Sequence, residues 1–358
     1  MTTGERAAAL AGAAARFPGL FPPTADDLLA TVRAELGHES ALDGFVPYCG
    51  GYTRAVAPST ILHVVSGNTP HAALQTLLRG LLLGSMNLVK FPGGGLGEIE
   101  GIANFLPGEL AVLVESSRVI EPGWWERADA WVVFGDDRTI EALRAECPAG
   151  TIFDGHGTRV SYAVVFDDPD FVSCAGVARD VSQFDQGGCL SPHVVYVAGD
   201  AEAYAGRLAV EMAKTCRLMP PAEMGAGSVS AVSHLREAIR FEALSNPGVR
   251  IWCSEGLPGW TVVFERSEEF RFSPLDRCIY VKPLPGDLSH AVRRVRGITG
   301  AVGIFPASLA NAGRVEGLGA SRICAVGRMQ EAPFWWHSEA RPNLGVLVRW
   351  VDFEPGVC

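Results

Sequence analysis

The sequence lacks any cluster of lysine and arginine, any closely spaced pair of cysteines, and any uninterrupted apolar run long enough to span a membrane. Its 358 residues carry a net charge of −10. Because binding to nucleic acid requires a basic surface that neutralises phosphates, no nucleic-acid partner is expected. The most apolar stretch, residues 72–91, is interrupted by Arg79 and Lys90 and therefore predicts no transmembrane segment.

The nine cysteines are widely separated, and the closest pair, Cys174 and Cys189, lies fifteen positions apart. Zinc sites and disulfide frameworks need closer or more regular spacings, so we predict neither a metal site nor disulfides. Reduced thiols indicate a cytoplasmic protein. The alanine-rich N-terminus does not alter this expectation, because Thr2-x-x-Glu5 is a capping box typical of a short helix rather than of a signal peptide.

Hydrophobic residues make up 48% of the chain and charged residues 20%, which is typical of a globular protein with a large core. From residue 60 onward, short apolar strands alternate with amphipathic helices. This alternation predicts βαβ units with a parallel sheet covered on both faces, and hence an α/β fold. The predicted strands are Thr60–Val65, Asn87–Phe91, Ala130–Phe134, Gly150–Phe153, Val160–Phe166 and His193–Val197. The predicted helices are Ala7–Ala15, Ala25–Leu36, His71–Leu83, Asp136–Glu146, Pro169–Phe184 and Asp200–Leu218.

Cys189 follows two glycines and precedes Ser191-Pro192, a context that predicts an irregular turn between a helix and a strand. A cysteine chosen without regard to context is usually a buried structural residue. A thiol presented on such a turn can instead act as a nucleophile, and nearby N–H groups can stabilise an oxyanion. We therefore take Cys189 as the candidate catalytic residue.

Polar residues follow the predicted strands at the edge where parallel sheets bind ligands. Asn68, in the loop 66–70, either donates its amide to an oxyanion or caps the helix that follows. Lys90 ends the next strand and either binds phosphate or ribose hydroxyls or is a solvated surface lysine. The sequence decides neither pair of alternatives.

Gly135 lies between a strand and a helix, where a pyrophosphate can rest at the helix N-terminus. Asp136 and Asp137 oppose this role, and the G-x-G-x-x-G fingerprint is absent from that context. His156, in a glycine-rich segment, is either an acid or base near neutral pH or a turn residue with one hydrogen bond. His337 stands beside two tryptophans in an aromatic tail that we interpret as a packed domain seam.

Several short motifs occur in a fixed order from about residue 58 to the C-terminus. In that order they resemble the acyl-CoA reductase family typified by LuxC, a branch of the aldehyde dehydrogenase superfamily. The matching segments are Val65–Pro70, Asn87–Lys90, Val133–Gly135, His156–Ser161, Asp185–Pro192, Gly327–Met329 and Trp336–His337.

The resemblance implies a Rossmann-like parallel-sheet cofactor domain and a second α/β domain that bears the thiol. We accordingly assign a helical preface and NADP-binding domain to residues 1–184 and the catalytic domain to residues 185–325. Residues 326–358 are expected to return to the domain seam. Their strand pattern, Leu344–Val351, is a candidate oligomerisation strand, and a homo-oligomer is implied.

The resemblance also implies a reaction, the NADPH-dependent reduction of a fatty acyl-CoA, or of an acyl-carrier thioester, to the aldehyde. Cys189 would carry the acyl group, with Asn68 and the Cys189 N–H as oxyanion donors, and His156 and His337 would line the site. The implied cofactor contacts are Ser66, Gly67, Lys90, Gly135 and Gly157, with Lys90 at the adenosine ribose or its 2′-phosphate.

Hydrolytic aldehyde dehydrogenases carry a glutamate in a Glu-Leu-Gly-Gly pattern, and the matching stretch here, Gly155-His156-Gly157, contains none. Its loss favours reduction, because hydrolysis would destroy the acyl-enzyme. Two other functions stay open: an NAD(P)-dependent aldehyde dehydrogenase, and a catalytically silent relative that serves as a scaffold.

Overall fold

The chain divides into two compact units, the first formed by Met1–Thr158 with Ala332–Cys358 and the second by Arg159–Glu331. The computed structural model describes residues 1–67 and 70–356, and the backbone alone of Glu98.

The first unit is built on a five-stranded sheet in which every strand pair is parallel. Its strands are Thr60–Val64 (β3), Met86–Lys90 (β4), Val114–Ser117 (β5), Ala130–Phe134 (β6) and Ile152–His156 (β7). The spatial order is β5-β4-β3-β6-β7. The chain therefore runs outward from β3 in one direction and then returns to β6, so a topological switch point lies between β3 and β6.

The α-helices in the described part of this unit are Thr3–Ala14 (α1), Ala25–Leu36 (α2), Pro70–Leu83 (α3), Gly108–Ala111 (α4), Trp124–Arg127 (α5) and Asp137–Glu146 (α6). The predicted capping box starts α1: Thr2 accepts from the Glu5 N–H, and the Glu5 carboxylate accepts from the Thr2 N–H. Helix α3 is buried on nearly every side, as its apolar composition requires.

A three-stranded antiparallel sheet completes the first unit. It consists of Val46–Tyr48 (β1), Gly51–Val56 (β2) and the late strand Arg349–Phe353 (β15), with β2 in the centre. The tail is also held by Glu35, whose carboxylate accepts the N–H of Leu344 at 2.6 Å. The predicted tail strand Leu344–Val351 thus begins five residues later than expected and runs to Phe353.

The second unit contains a seven-stranded sheet in the order β10-β11-β12-β9-β8-β13-β14. Its strands are Val160–Val165 (β8), Pro192–Val197 (β9), Val249–Cys253 (β10), Thr261–Glu265 (β11), Cys278–Pro283 (β12), Thr299–Phe305 (β13) and Arg322–Ala325 (β14). All pairs are parallel except β10 with β11. Its helices are Ser173–Ser182 (α7), Ala201–Leu218 (α8), Ala226–Ala243 (α9), Leu288–Ala291 (α10) and Leu309–Gly313 (α11).

The predicted α/β class, with a parallel sheet in one unit and a second α/β unit, is confirmed. The limits of the units differ from the predicted segments 1–184, 185–325 and 326–358. Strand β8 pairs with β9 and β13, so the second unit starts at Arg159. Alternation in a sequence indicates that a strand is present, but only its hydrogen-bonded neighbours decide which sheet it joins.

Short 3-10 helices occupy Pro18–Leu20, Gly97–Phe105, Gln183–Gln186, Arg296–Ile298, Glu316–Leu318 and Ser338–Ala340. None of the described helices is both long and apolar enough to cross a bilayer.

Candidate active site

Cys189 lies on a tight turn between α7 and β9. The Ser191 N–H donates to the Gly188 carbonyl at 3.0 Å, which closes the turn around Cys189 and Leu190. Cys189 is exposed and Leu190 is buried, so the two central residues point to different environments. The irregular turn that the glycines and proline predict is present.

The carbonyl of Cys189 is held in place by Ser161 of strand β8. Ser161 Oγ donates to it at 2.8 Å and accepts the N–H of Ala301 at 2.9 Å. A Cβ on Gly300 would lie 3.4 Å from the same carbonyl, so this glycine admits the close approach. The turn therefore rests on the amino ends of β8, β9 and β13. This edge lies opposite to the carboxyl edge, where the rule for parallel sheets predicts ligands.

The residues before the turn adopt left-handed backbone without glycine. Phe184, Asp185 and Gln186 have φ values of 54°, 50° and 64°, a conformation that costs of order 1–3 kcal/mol per non-glycine residue. Gln186 stabilises it from the core. Its Nε2 donates to the carbonyls of Pro192 and Cys278, and its Oε1 accepts the Cys278 N–H, all between 2.7 and 2.8 Å.

Burial distinguishes Cys189 from most other cysteines. Of the eight in the described part of the chain, only Cys49 and Cys189 are exposed. Burial raises the pKa of Cys174 to about 12 and that of Cys278 and Cys324 to about 11. Such thiols are inert at neutral pH, because the thiolate is the reactive form.

The predicted cofactor residues lie at the carboxyl edge of the parallel sheet in the first unit. Ser66 and Gly67 follow β3, and Lys90 is the last residue of β4. Gly135 follows β6 and Gly157 follows β7. The structure thus brings these five residues to the ends of four adjacent strands, on both sides of the switch point. Asn68 lies outside the described residues.

This edge fits a dinucleotide on its β3–β4 side. Lys90 is half-buried, and within the described part of the chain its ammonium forms no ion pair. Gly67 is exposed beside Pro92, and a Cβ there would lie 3.4 Å from the proline ring. A cation without an ion-pair partner and an open glycine at neighbouring strand ends suit a phosphate-bearing ligand.

The β6 side is more closed. The Gly135 N–H donates to the His156 carbonyl at 3.2 Å, and Asp136 caps α6 through the Thr139 N–H at 2.8 Å. Hydrogen bonds from Thr139 lower the pKa of Asp136. The N-terminus of α6 is therefore capped by a carboxylate of its own chain rather than left open for a pyrophosphate.

His156 is the last residue of β7 and is buried, so it is a strand residue and not a turn residue. Its ring stacks on Phe134, with centroids 4.5 Å apart. Its Nε2 lies 3.0 Å from Asp154 Oδ2. Its Nδ1 lies 3.3 Å from Glu339 Oε1, at ion-pair distance but outside hydrogen-bond alignment. The sequence predicts a strand that ends at Phe153, because glycines at 155 and 157 are typical of a turn; the structure extends the strand to His156.

The charges around His156 set its protonation. Burial acts to lower the pKa of His156, but the carboxylates of Asp154 and Glu339 together raise it above its ordinary value. Burial acts in turn to raise the pKa of Asp154, but His156 and Arg341 bring it below its ordinary value. Arg341 lies 3.0 Å from Asp154 Oδ1 and also donates to the Gly155 carbonyl. The cluster therefore places the imidazole ring between two carboxylates, which favour its protonated form.

Glu339 and Arg341 were not predicted, and nothing in the sequence near them signals the contact, since about 180 positions separate them from β7. Glu339 itself has a left-handed φ of 55°. Asp154 did carry a signal: it is two positions before His156, so both side chains lie on one face of a strand. His337 is exposed rather than packed, whereas Phe334 is buried, with the Arg79 guanidinium 5.3 Å from its ring.

Solved structures with this architecture are aldehyde dehydrogenases. An NAD-dependent benzaldehyde dehydrogenase from Corynebacterium glutamicum superposes with a TM-score of 0.60 at 14% identity, covering 99% of this chain and 86% of that chain. Proline utilization A from Bdellovibrio bacteriovorus gives a TM-score of 0.70 at 13% identity, covering 99% of this chain and 44% of that chain. At such low identity the likeness defines the fold, which is that of the aldehyde dehydrogenases.

The sequence matches the family model for acyl-CoA reductase (LuxC) over residues 23–350, and the chain belongs to this family. The long-chain acyl-protein thioester reductase of Vibrio harveyi is 23% identical over 266 residues, which are 70% of this chain and 54% of that protein. The reductase of the same name from Aliivibrio fischeri is 22% identical over 345 residues, 90% of this chain and 70% of that protein. The chain thus spans about half the length of the Vibrio harveyi relative.

Proposed function

We propose that this protein reduces an acyl thioester, a long-chain fatty acyl-CoA or an acyl group on a carrier protein, to the aldehyde. The observation that carries the proposal is the exposed Cys189 on a turn fixed by Ser161 and Gln186, in a chain of the acyl-CoA reductase family. The curated relatives are named long-chain acyl-protein thioester reductases, which supports this substrate class.

In the proposed reaction, the Cys189 thiolate attacks the thioester carbonyl carbon. A new carbon–sulfur bond forms, the bond to the donor thiol breaks, and the donor leaves as a thiol after taking up a proton. The Cys189 N–H and the Asn68 amide are the proposed donors to the oxyanion. NADPH, when bound, supplies the hydride that reduces the acyl carbon. The carbon–sulfur bond to Cys189 then breaks, the aldehyde leaves, and the thiolate is restored.

We assign cofactor binding to Ser66, Gly67 and Lys90 on the open β3–β4 side, and we assign Gly135 and Gly157 to the lining of the more closed β6–β7 side, where the helix N-terminus is already capped. The support is their common position at the carboxyl ends of β4, β3, β6 and β7 around the switch point. A cation at Lys90 favours NADPH over NADH if it meets the 2′-phosphate. Replacement of Lys90 by Met should then raise the KM for NADPH and leave that for NADH nearly unchanged.

His156 enters the proposal as a proton donor or as part of the site lining. Asp154 and Glu339 raise the pKa of His156, which favours the protonated ring, and a protonated ring can donate a proton but has no lone pair to act as a base.

The deciding experiment combines the purified protein, NADPH and acyl-CoAs of short, medium and long chain, with acyl-carrier protein as an alternative donor. We expect NADPH oxidation and aldehyde formation in equal amounts. Cys189→Ala should lower turnover by at least about 10³-fold, because it removes the group that forms the covalent intermediate. Cys49→Ala, which removes the other exposed thiol, is the matched control and should retain full activity. Turnover that survives Cys189→Ala would refute the proposed role.

One observation favours a second candidate, an NAD(P)-dependent aldehyde dehydrogenase. The segment Gly155-His156-Gly157 contains no glutamate, but the fold brings the carboxylate of Glu339 to 3.3 Å from His156 Nδ1. Its pairing with His156 and Arg341 weakens it as a base for activating water. This candidate would be supported if the protein oxidises aldehydes with NAD⁺ or NADP⁺, loses that activity in Glu339→Gln, and does not reduce thioesters with NADPH. Failure to bind any nicotinamide cofactor in calorimetry would leave the scaffold function.

We propose in addition that the protein forms a homo-oligomer through β15. All five residues of this edge strand are exposed, including Trp350, Val351 and Phe353. An exposed apolar edge strand is a template for pairing with another chain. Light scattering should give at least a dimer for the native protein and a monomer for Val351→Lys, whereas a native monomer would contradict the proposal.

A further inference from the structure

The loop of residues 327–330 lies against helix α7, just before the second unit ends at Glu331. The Asp180 carboxylate accepts the N–H of Gly327 at 2.6 Å and that of Met329 at 3.0 Å. Gly327 has a φ of 89°, and a Cβ on Gly176 would lie 3.0 Å from the Gly327 nitrogen. Two glycines therefore permit direct backbone contact between the loop and the helix.

Further contacts hold the same loop from the sheet side. The Met329 side chain is fully buried, and a Cβ on Gly303 would lie 2.6 Å from its sulfur, so that glycine makes room for it. The Arg322 guanidinium donates to the carbonyls of Arg328 and Glu331 at 2.9 and 2.8 Å. We call residues 327–330 the clasp loop. Its backbone position is determined by helix α7 on one side and by β13 and β14 on the other.

The last residue of the clasp loop reaches the Cys189 turn. Gln330 is 3% exposed, and its Nε2 donates to Ser191 Oγ at 2.7 Å and to the Asp180 carbonyl at 3.2 Å. Ser191 is fully buried, and its own N–H closes the turn onto Gly188. Both protons of one side-chain amide thus connect the turn to helix α7.

We infer that Gln330 is a positioning residue that holds the Cys189 turn in the conformation that presents the thiol for acyl transfer. The role in acyl transfer rests on the proposed function, whereas the contacts of Gln330 with the turn do not depend on it. Ser161 fixes the turn at the Cys189 carbonyl, Gln186 fixes the chain before it, and Gln330 fixes the residue that closes it. Without Gln330, Ser191 Oγ loses this hydrogen bond. The backbone N–H of Ser191, which closes the turn onto Gly188, is then less firmly positioned.

A purely structural role for Gln330 would lower stability without a specific effect at Cys189. Two readouts separate these roles. The first is amide hydrogen exchange in the peptide that contains residues 187–192, and the second is the rate at which a chromogenic thioester acylates Cys189, measured by peptide mapping. Acylation of Cys49, which is exposed and lies in the other unit, is the internal control.

Gln330→Leu keeps the size of the side chain and removes both hydrogen bonds. We expect faster exchange at the Ser191 amide and about tenfold slower acylation of Cys189, equivalent to about 1.4 kcal/mol in the barrier, with Cys49 unchanged. Ser191→Ala removes only the acceptor and should produce the same two effects, and it serves as the test if Gln330→Leu does not fold. The double variant should be no worse than Gln330→Leu alone, because that substitution already removes the hydrogen bond that Ser191→Ala breaks.

Ser85→Ala is the matched control. Ser85 is equally buried and donates one hydrogen bond, to the Pro58 carbonyl at 2.7 Å, but it lies in the first unit. It should alter neither readout. Unchanged exchange and acylation in folded Gln330→Leu and Ser191→Ala would overturn the inference. If the native protein shows no NADPH turnover but these variants still change exchange and acylation at Cys189, the proposed function fails and the positioning role stands.

Discussion

Asp185 and Arg277 form an ion pair, with 2.7 Å between Asp185 Oδ1 and Arg277 Nη2, that joins two segments of left-handed backbone. One segment is 184–186, before the Cys189 turn, and the other is 275–277, before β12, with φ values of 69°, 51° and 59°. Arg277 also donates to the Met219 carbonyl. Neither segment contains a glycine, so each depends on the contacts of its side chains to keep this conformation.

Asp185→Asn should therefore destabilise the second unit by about 2 kcal/mol, because the buried Arg277 loses its countercharge. Urea unfolding at pH 7 measures the effect. Glu269→Gln breaks an ion pair with Arg293 that is exposed on both sides, and it should cost less than about 1 kcal/mol. Equal costs for the two variants would contradict the role given to Asp185.

Gly80→Ala should destabilise the first unit although alanine is the better helix former. A Cβ at position 80 of α3 would lie 1.9 Å from Asn87 Oδ1 and 3.0 Å from His63 Nε2. Overpacking of this kind typically costs 1–3 kcal/mol or more, against a helix-propensity gain of about 1 kcal/mol. In Gly12→Ala, on α1, the added Cβ has open space, and this variant should be stabilised by about 0.5–1 kcal/mol. Thermal melting of both variants gives the sign of each change in stability. Stabilisation of Gly80→Ala would show that Asn87 and His63 leave room for the added methyl group.

Acid should destabilise the first unit through His63. Burial lowers the pKa of His63 to about 4, while its ring bonds Thr76 Oγ1 and Asn87 Oδ1 at 2.9 Å each. In the unfolded state His63 binds a proton near pH 6.5, whereas in the folded state it does so only near pH 4. The free energy of unfolding therefore falls as the pH drops through this window. Between pH 7 and pH 5 the loss due to His63 is about 2 kcal/mol.

His63→Gln removes this titration. The difference in unfolding free energy between pH 7 and pH 5 should therefore shrink by about 2 kcal/mol relative to the native protein, whatever the cost of the substitution itself. The same dependence in both proteins would mean that His63 is not held neutral.

Glu339→Gln should lower the pKa of His156, because the ring loses one of its two adjacent carboxylates. The sign of the linked stability is opposite to that for His63. Because the pKa of folded His156 is raised, its contribution is present below pH 6.5 and is lost as pH rises through the folded pKa. An NMR titration of the histidine ring protons reports the shift. Glu115→Gln, at the exposed pair with Arg127, is the control and should leave it unchanged. A His156 pKa that does not respond to Glu339→Gln would place Glu339 away from the ring in solution.

Local patterns in the sequence determined the α/β class, the capping box at Thr2, helix α2, and the strand ends that carry Lys90 and Gly135. These features depend on neighbours within a few positions, namely the side-chain period, the capping residue and the strand composition. The same is true of the turn at Cys189, which two glycines and Ser-Pro predict.

Tertiary structure alone decided which distant segments of the chain contact one another. The pairing of β8 with β9 and β13, the contact of Glu339 with His156, and the hydrogen bond from Gln330 to Ser191 each join positions that no local pattern relates. They arise because burial leaves polar groups that must find partners, and the fold, rather than the sequence spacing, determines which partners are within reach.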